Sequence, residues 1–247
     1  MKDFSAVDYE FMTAALRLAE RGLATARPNP AVGCVIVAAD GAIVGRGWHA
    51  RAGEPHAEVN ALREAGAAAR GATVYVTLEP CAHHGRTPPC ADQLVEAGVA
   101  EVVYAVGDPN PSVAGQGLER LRTAGIEVRG ELLAAAATEL NRGFFTRMQT
   151  GRPWVRCKLA VSLDGRTALA NGVSQWITGP EARGDVHRWR ARSGAVLSTA
   201  DTVLADDAAL NARPDVAVNT IQTLRVIMDS RLRIRRGARL VTVEGPE

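Results

Sequence analysis

Hydrophobic positions in the first 150 residues alternate between two spacings. In residues 8–23, Phe11, Ala14, Ala15 and Leu18 follow the i, i+3, i+4 spacing of an amphipathic helix. Residues 31–37 and 73–78 are apolar runs rich in β-branched side chains, which predict buried strands. Further helices are predicted over 57–69, 90–97, 118–124 and 132–137, and further strands over 42–47, 101–106 and 126–128. Strands that alternate with helices predict a three-layer α/β domain.

A second unit is predicted after the Thr-Gly-Arg-Pro break at residues 150–153. Its pattern predicts strands over 154–161, 195–198, 225–228 and 239–243, a turn at 163–166 and a helix over 180–192. The domains are therefore expected at 1–150 and 151–247. The second unit is short for a cofactor-binding domain.

Composition narrows the class of protein. With 247 residues, 47% of them hydrophobic, the chain can build real cores. A net charge of +2 with interspersed signs gives no electrostatic case for a nucleic-acid partner. No apolar run approaches the ~18 residues of a membrane span, and the N-terminus lacks the apolar core of a signal peptide. We therefore expect a cytoplasmic location with no membrane partner. Four cysteines in a chain of this length do not indicate a disulfide framework.

Residues 56–90 contain the pattern that is most specific for a chemistry. They include His56-Ala57-Glu58, then Pro80-Cys81, then Pro89-Cys90. This is the H-x-E…P-C…C signature of zinc-dependent nucleobase deaminases. One imidazole and two thiolates leave a fourth zinc position for water. The pattern predicts His56, Cys81 and Cys90 as zinc ligands and Glu58 as the residue that moves protons.

The predicted local structure favours thiolates at both cysteines. Cys81 follows a predicted strand end, and Cys90 opens a predicted helix, whose N-terminus lowers the pKa of a thiol. The alternative interpretation is an ordinary helix start with two buried cysteines, and each residue alone fits it. The combination favours zinc. Cys34 and Cys157 lie in predicted strands and are expected in the core.

Several longer runs resemble one family, the bifunctional riboflavin-biosynthesis pyrimidine deaminase/reductase. In the first unit these are residues 28–34, 53–58, 77–90 and 108–111, and in the second 158–166, 174–176 and 202–207. Eight residues separate Cys81 from Cys90, whereas nucleoside and nucleic-acid deaminases usually have two. The resemblance covers essentially the whole chain. It implies a cytidine-deaminase-like three-layer domain followed by a dihydrofolate-reductase-like α/β domain.

The resemblance also implies two reactions. The first is the zinc-dependent removal of the 2-amino group of 2,5-diamino-6-(5-phosphoribosylamino)pyrimidin-4-one, and the second uses NADPH to reduce the ribosyl group to a ribityl chain. The partner is then a small phosphorylated pyrimidine. The residues implied at the first substrate are Asn29, His49, His83 and Arg86. For His49 a solvated loop position is an equal alternative, and His84 is assigned to loop packing or solvent.

In the second unit the resemblance implies two groups of residues. Those at the cofactor are Ala160, Trp176, Thr202 and Asp206, and those at the substrate are Lys158, Ser174, Arg190, Leu210 and Arg213. The alternatives are a core position for Trp176, a solvated helix face for Arg190 and a helix-starting acidic pair at 206–207. The chain has no G-x-G-x-x-G run. The family's reductase does not need one, because it resembles dihydrofolate reductase.

One departure from the family concerns the end of the sequence. The family's reductase continues into a glycine-rich E-G/A-G-P segment, whereas this sequence ends at residues 243–247 after a superficially similar run. The expectation is a fragment or truncated product with a competent deaminase and an impaired reductase. Missing strands would leave an unpaired sheet edge and an exposed apolar face.

Two other functions remain open from the sequence. One is a zinc deaminase of another substrate, such as a free base or a tRNA adenosine, against which the long loop between the cysteines and the near-neutral charge argue. The other is a structural zinc module, against which the lack of a fourth adjacent ligand argues. Because the sheet and helix faces of this deaminase fold commonly pair, a homo-oligomer is expected.

Overall fold

The structure is a computed structural model that describes residues 3–82, 88–111, 113–213, 221 and 223–243. The chain forms two compact units, Met1–Trp154 and Val155–Glu247. The predicted boundary at residue 150 lies just before the one in the structure. Each unit has its own sheet.

The first unit is built on a five-stranded sheet with the order β2-β1-β3-β4-β5. The strand β1 is antiparallel to both β2 and β3, whereas β3, β4 and β5 run parallel. The predicted strands are therefore present, each shifted by a few residues. Their bounds are β1 Gly33–Val37, β2 Ile43–Trp48, β3 Thr73–Val76, β4 Glu101–Tyr104 and β5 Glu127–Gly130.

Helices cover both faces of this sheet, which confirms the three-layer prediction. On one face the core contains Cys34, Ile36, Val74 and Val102 together with apolar residues of α2, α3 and α4. On the other face Val35, Val37, Tyr75 and Val103 pack with α1 and α5. The alternation of buried side chains along each strand sends neighbouring residues to opposite layers. The helices are α1 Ala6–Glu20, α2 Ala57–Ala65, α3 Cys90–Ala97, α4 Gln116–Thr123, α5 Ala134–Leu140 and α6 Arg142–Thr150.

Glycines let the helices approach the sheet closely. A Cβ on Gly47 would lie 2.1 Å from the carbonyl oxygen of Ala57, and one on Gly45 would lie 2.2 Å from that of Ala61. On the opposite face, a Cβ on Gly33 would lie 2.0 Å from the carbonyl oxygen of Ala15. Contacts this short exclude every side chain larger than hydrogen at these positions. The first turn of α2 is therefore fixed against β2 by backbone contact.

Asp8, Tyr75, Glu101 and Arg129 form a polar network in the first unit. The Tyr75 hydroxyl donates to Asp8 Oδ1 at 2.6 Å, and Arg129 pairs with both Asp8 and Glu101. Burial raises the pKa of Asp8, but the hydrogen bonds from Tyr75, Ser5 and Arg129 outweigh it and bring the pKa down to about 2. The network joins α1 to three strands without any role at the metal ligands.

The described residues of the second unit form a two-stranded parallel sheet of β6 and β7 and three helices. Its small core includes Val203, Leu210 and Leu240, against which Val196 and Ile227 pack. The other face of the sheet exposes Leu197, Leu224, Val226 and Met228. The element bounds are α7 Pro180–Arg192, β6 Ala195–Thr199, α8 Ala200–Asp206, β7 Leu224–Met228 and α9 Arg239–Thr242.

Two predicted strands of the second unit are wrong. Residues 154–161 form no regular element, because they are largely exposed and pair with no strand among the described residues. Cys157 is accordingly exposed, so its predicted core position is also wrong. The predicted strand 239–243 is instead the short helix α9, whose first N–H, that of Arg239, donates to Asp207 Oδ1. The acidic pair at 206–207 ends α8 and does not begin a helix.

None of the helices in the described part of the chain is both long enough and apolar enough to cross a bilayer.

Gly47→Ala tests the close packing of α2 on the sheet. Because the new methyl would overlap a backbone carbonyl 2.1 Å away, we expect the free energy of unfolding to fall by at least about 2 kcal/mol. Urea denaturation followed by circular dichroism measures the change. Gly143→Ala is the matched control, since a Cβ there meets nothing within 4 Å, and it should leave stability unchanged or slightly raised. Equal effects of the two substitutions would contradict the packing argument.

Candidate functional site

Three predicted ligands come together from three separate elements. His56 is the N-cap residue of α2, and its side chain makes no capping hydrogen bond. Cys81 follows the carboxyl end of β3, and Cys90 is the first residue of α3. Two helix N-termini and one strand end therefore converge, which places positive helix-dipole ends beside both thiols. The carboxyl end of a parallel strand is the usual place for the active site of an α/β domain.

The spacing of the ligand atoms fits a tetrahedral metal ion. His56 Nδ1 lies 3.2 Å from Cys90 Sγ and 3.6 Å from Cys81 Sγ. Ligands bound tetrahedrally to one zinc ion at normal bond lengths are roughly 3.5 Å apart. All three ligand atoms lie within 4.8 Å of one another, and among the described residues no further His, Cys, Asp or Glu joins them. The donor set is therefore one that zinc accepts while keeping a position for water.

The thiols and the imidazole are already polarised toward metal binding. The hydrogen bond from Cys90, opposed by burial and aided by His56, lowers the pKa of Cys81 to about 4. The same hydrogen bond to Cys81, together with burial, raises the pKa of Cys90. The Cys81 thiolate in turn raises the pKa of His56 by its hydrogen bond. A divalent cation binds cysteine side chains as thiolates and displaces their protons.

Glu58 is a buried carboxyl group beside this cluster. It lies in the first turn of α2 and is only 3% exposed. Burial, and then the negative charge of Cys81, raise the pKa of Glu58 to about 7. Its side chain also hydrogen-bonds with Cys90. A carboxyl group with this pKa can both accept and donate a proton near neutral pH.

Asn29 and His49 form a second layer of polar contacts. His49 Nδ1 lies 3.2 Å from the carbonyl oxygen of Pro55, and His49 Nε2 lies 3.1 Å from Asn29 Nδ2. Burial lowers the pKa of His49, which favours a neutral ring that donates to Pro55 and accepts from Asn29. The alternative of a solvated loop histidine does not fit a residue that is 2% exposed. The ring also meets His56 edge-on at 5.2 Å between centroids.

The other predicted residues of the first site, His83 and Arg86, lie outside the described residues, as does His84. Cys34 is buried in β1 as predicted, and burial raises the pKa of its thiol.

Glu79 and Asn141 are two buried polar residues of the first unit for which no role was predicted from the sequence. The buried carboxylate of Glu79 accepts the backbone N–H groups of Asp108, Gly115 and Gly117 at 3.0–3.2 Å and so holds that loop beside Cys81. Asn141 hydrogen-bonds through both side-chain atoms to Ala31. Glu79 stands in the same run of sequence as Cys81, and this proximity could have identified it as a residue of the site. No local sequence pattern identifies Asn141, because its hydrogen-bond partner is 110 residues away.

In the second unit the structure brings together part of the predicted substrate group. Arg190 is half-buried on α7, where Nη1 donates to the Asn211 carbonyl oxygen at 3.4 Å. Burial, and then the charge of Arg213, lower the pKa of Arg190. Leu210 packs in the small core beside them. The solvated-face alternative for Arg190 therefore does not hold.

The remaining predicted residues of the second unit are more exposed. Trp176 is 70% exposed and lies 4.4 Å from the Arg183 guanidinium carbon, so a core position for it is wrong. Thr202 lies in the first turn of α8, where its N–H donates to Thr199 Oγ1. Asp206 ends the same helix. Lys158 and Ser174 are exposed, and Ala160 is half-buried, in stretches without regular structure.

Comparisons with known proteins agree with both halves of this description. Residues 5–106 match the model of the cytidine and deoxycytidylate deaminase zinc-binding region. Residues 153–247 match the RibD C-terminal domain. The riboflavin biosynthesis protein RibD of Escherichia coli is 55% identical in an alignment of 248 positions, which covers 96% of this chain and 67% of that protein. The chain belongs to the RibD family.

Other RibD proteins and solved structures are similar over the same length. RibD of Haemophilus influenzae is 53% identical over 100% of this chain and 68% of its own. An Acinetobacter baumannii RibD structure superposes with a TM-score of 0.89 at 54% identity, covering 95% of this chain and 67% of that one. A Thermotoga maritima structure described as a diaminohydroxyphosphoribosylaminopyrimidine deaminase/5-amino-6-(5-phosphoribosylamino)uracil reductase has a TM-score of 0.89 at 40% identity, covering 97% and 68%. The chain thus spans about two thirds of the RibD proteins it matches.

Zinc content tests the ligand cluster directly. We expect the purified chain to hold about one zinc ion, since a three-ligand site with one water binds a single ion. Cys90→Ala should lose that zinc, because two ligands cannot retain it against a chelator. Metal analysis after dialysis with a weak chelator measures this. Cys157→Ser, at an exposed cysteine outside the cluster, is the control and should keep its zinc. Retention of zinc by Cys90→Ala would contradict the ligand assignment.

Proposed function

We propose that this chain deaminates 2,5-diamino-6-(5-phosphoribosylamino)pyrimidin-4-one in riboflavin biosynthesis, with zinc at His56, Cys81 and Cys90. The observation that supports this most strongly is the buried carboxyl of Glu58 beside the three-ligand cluster. Membership of the RibD family supplies the substrate, since the Thermotoga maritima relative is described as acting on that pyrimidine. Zinc, when bound, lowers the pKa of a water molecule toward ~7.

Glu58 performs the proton transfers in this proposal. Its carboxylate accepts one proton of the water whose oxygen bonds to the ring carbon bearing the exocyclic amine, and passes this proton to the adjacent ring nitrogen as the ring carbon–nitrogen double bond opens. Glu58 then moves the remaining hydroxyl proton to the exocyclic amine, so that the exocyclic carbon–nitrogen bond breaks as the carbon–oxygen double bond forms and ammonia leaves. A pKa near 7 suits both transfers because neither protonation state is strongly favoured at neutral pH.

Asn29 is the proposed contact to the pyrimidine. If its amide nitrogen donates to His49, its oxygen is left to accept a hydrogen bond from a ring N–H or amine of the substrate. His49 then acts behind Asn29, not as a cation toward the phosphate. For His83 and Arg86 we retain the phosphate contact as a proposal, based on their charge and their place in the long loop between the cysteines.

The second candidate activity is the NADPH-dependent reduction of the ribosyl group. It is favoured by the match of residues 153–247 to the RibD C-terminal domain. We propose the cofactor near Ala160, Trp176, Thr202 and Asp206, and the substrate near Lys158, Ser174, Arg190, Leu210 and Arg213. The exposed tryptophan of the first group could stack on a nucleotide ring. Arg190 and Arg213 could bind the phosphate.

The remaining proposals concern the setting of the enzyme. We propose a homo-oligomer in the cytoplasm with no nucleic-acid partner, on the basis of the deaminase fold and the near-neutral charge.

Glu58→Gln separates catalysis from metal binding. The amide keeps the shape of the side chain but cannot accept the proton, so kcat/KM for deamination should fall by roughly 10²–10⁴-fold while zinc content stays unchanged. Ammonia release and metal analysis measure the two effects. Glu64→Gln is the matched control on the same helix, where the exposed side chain pairs only with Arg46 on the surface, and it should keep full activity.

The same assay discriminates between the alternative functions. Full activity of Glu58→Gln would refute the catalytic assignment. A wild-type chain that binds zinc but releases ammonia from none of the tested substrates would favour a structural zinc module. Faster turnover of a free base or a tRNA adenosine than of the diaminopyrimidine would favour a deaminase of another substrate.

NADPH oxidation tests the second activity. Because residues 153–247 match the RibD C-terminal domain, we expect the deaminated intermediate to stimulate NADPH oxidation. Absorbance of the reduced nicotinamide measures the rate, and RibD of Escherichia coli serves as the positive control. An oxidation rate that does not change when the intermediate is added would contradict this second activity.

A further inference from the structure

We propose that Asn141 is a positioning residue for the pyrimidine-binding side chain Asn29. The inference rests on the proposed function of the first unit and adds a residue to it. Among the described residues, the side chain of Asn141 hydrogen-bonds to Ala31 and to no metal ligand or predicted substrate contact. It acts on the segment that contains Asn29 through backbone hydrogen bonds.

The contact between Asn141 and Ala31 is a matched pair of hydrogen bonds. The Ala31 N–H donates to Asn141 Oδ1 at 2.8 Å, and Asn141 Nδ2 donates to the Ala31 carbonyl oxygen at 2.8 Å. Both residues are buried, with 7% of Asn141 and 4% of Ala31 exposed. An asparagine amide is the side chain that copies a backbone partner in this way, because it offers one donor and one acceptor at the spacing of a peptide group.

Asn141 itself is fixed by its place between two helices. It ends α5 and begins α6, with its own N–H donating to the Ala137 carbonyl and its own carbonyl accepting from the Phe145 N–H. Asparagine at such a position commonly caps the following helix through its side chain. Here the side chain makes no capping bond. The hydrogen bonds that its side chain makes with the described residues are both to Ala31. This favours a role in holding the segment at 29–31.

The connection from Ala31 to Asn29 is short and stiff. Only Pro30 separates them. Because the Pro30 ring fixes the backbone angle φ, a displacement of Ala31 also displaces Asn29. On its other side Asn29 is held by its N–H to the Ala26 carbonyl and by its side chain to His49. The backbone N–H of His49 in turn donates to the Val32 carbonyl oxygen. Asn141 is thus one support of this segment, among the described residues, that comes from outside the segment and its neighbouring strand.

The loss of this support should change substrate binding more than the chemical step. Without Asn141 the buried peptide groups of Ala31 would have to find water, and the segment would shift to expose them. Asn29 would then be misplaced relative to the ring, whereas Glu58 and the zinc ligands lie on other elements. Small displacements of a binding group are sufficient to reduce the fit of a substrate.

The test is a double-mutant cycle in the full zinc-loaded chain with the diaminopyrimidine substrate. We expect Asn141→Ala to raise KM about tenfold, as for a loss of orientation, with kcat reduced less and zinc content unchanged. Asn29→Ala should raise KM by at least as much. Because Asn141 acts through Asn29, the double variant should have the KM of Asn29→Ala alone. Multiplying effects, or an unchanged KM in Asn141→Ala, would contradict the proposal.

Two further variants separate positioning from general stability. Leu121→Ala removes a fully buried core side chain from α4 and should lower the unfolding temperature while leaving KM unchanged. If it raises KM as Asn141→Ala does, the KM effect is only a consequence of lost stability and the proposal fails. Asn141→Asp keeps the size of the side chain and replaces the donor to the Ala31 carbonyl with a carboxylate oxygen, which repels that carbonyl. It should raise KM in the same direction, and it replaces Asn141→Ala if that variant does not fold.

A measurement that does not depend on catalysis tests this inference separately from the proposed function. In the wild-type chain the Asn29 side-chain amide, bonded to His49, should give a distinct pair of ¹⁵N-resolved proton signals. These should move toward the positions of a solvated amide in Asn141→Ala and stay in place in Leu121→Ala. Unchanged signals in Asn141→Ala would refute the positioning role even for an active deaminase. If the signals move in Asn141→Ala but the wild-type chain does not deaminate the substrate, the proposed function alone is refuted.

Discussion

The contact between Gly47 of β2 and the first turn of α2 is the constraint on which the candidate site depends. The backbone at Gly47 lies so close to the Ala57 carbonyl that no side chain fits between them. Ala57 stands between His56 and Glu58, so this contact sets both the imidazole and the carboxyl relative to the sheet. Cys81 follows β3 of the same sheet. The metal ligands His56 and Cys81 and the proton carrier Glu58 are therefore held by one rigid support.

Electrostatics then gives these positions their chemistry. Burial of Glu58 raises the pKa of its carboxyl group, while the hydrogen bond from Cys90 lowers the pKa of the Cys81 thiol. The two pKa shifts have opposite directions in neighbouring groups, because Glu58 is desolvated whereas Cys81 receives hydrogen bonds. Such a separation of pKa values is typical of catalytic sites. A site that only needed to hold a metal for stability would have no use for a buried carboxyl that the ligand cluster does not include.

The sequence predicted those parts of the structure that local rules determine. The helices at Cys90–Ala97 and Pro180–Arg192 have the predicted bounds, because proline precedes or opens each one and residues that stop helices follow. The ligand spacing was likewise visible from the H-x-E and P-C runs. Asn141 was not, because its contact joins residues far apart in the chain. The strand predicted at 154–161 failed for a related reason, since a strand needs partners that its own residues cannot supply.

The central claim is that water replaces the exocyclic amine of a phosphorylated diaminopyrimidine at the zinc site of the first unit. The most direct measurement is mass spectrometry of that substrate after incubation with the zinc-loaded chain in ¹⁸O-labelled water. We predict a product that has lost one nitrogen as ammonia and gained one labelled oxygen, whether or not NADPH is present. Recovery of unchanged diaminopyrimidine from a chain with full zinc content would contradict the account.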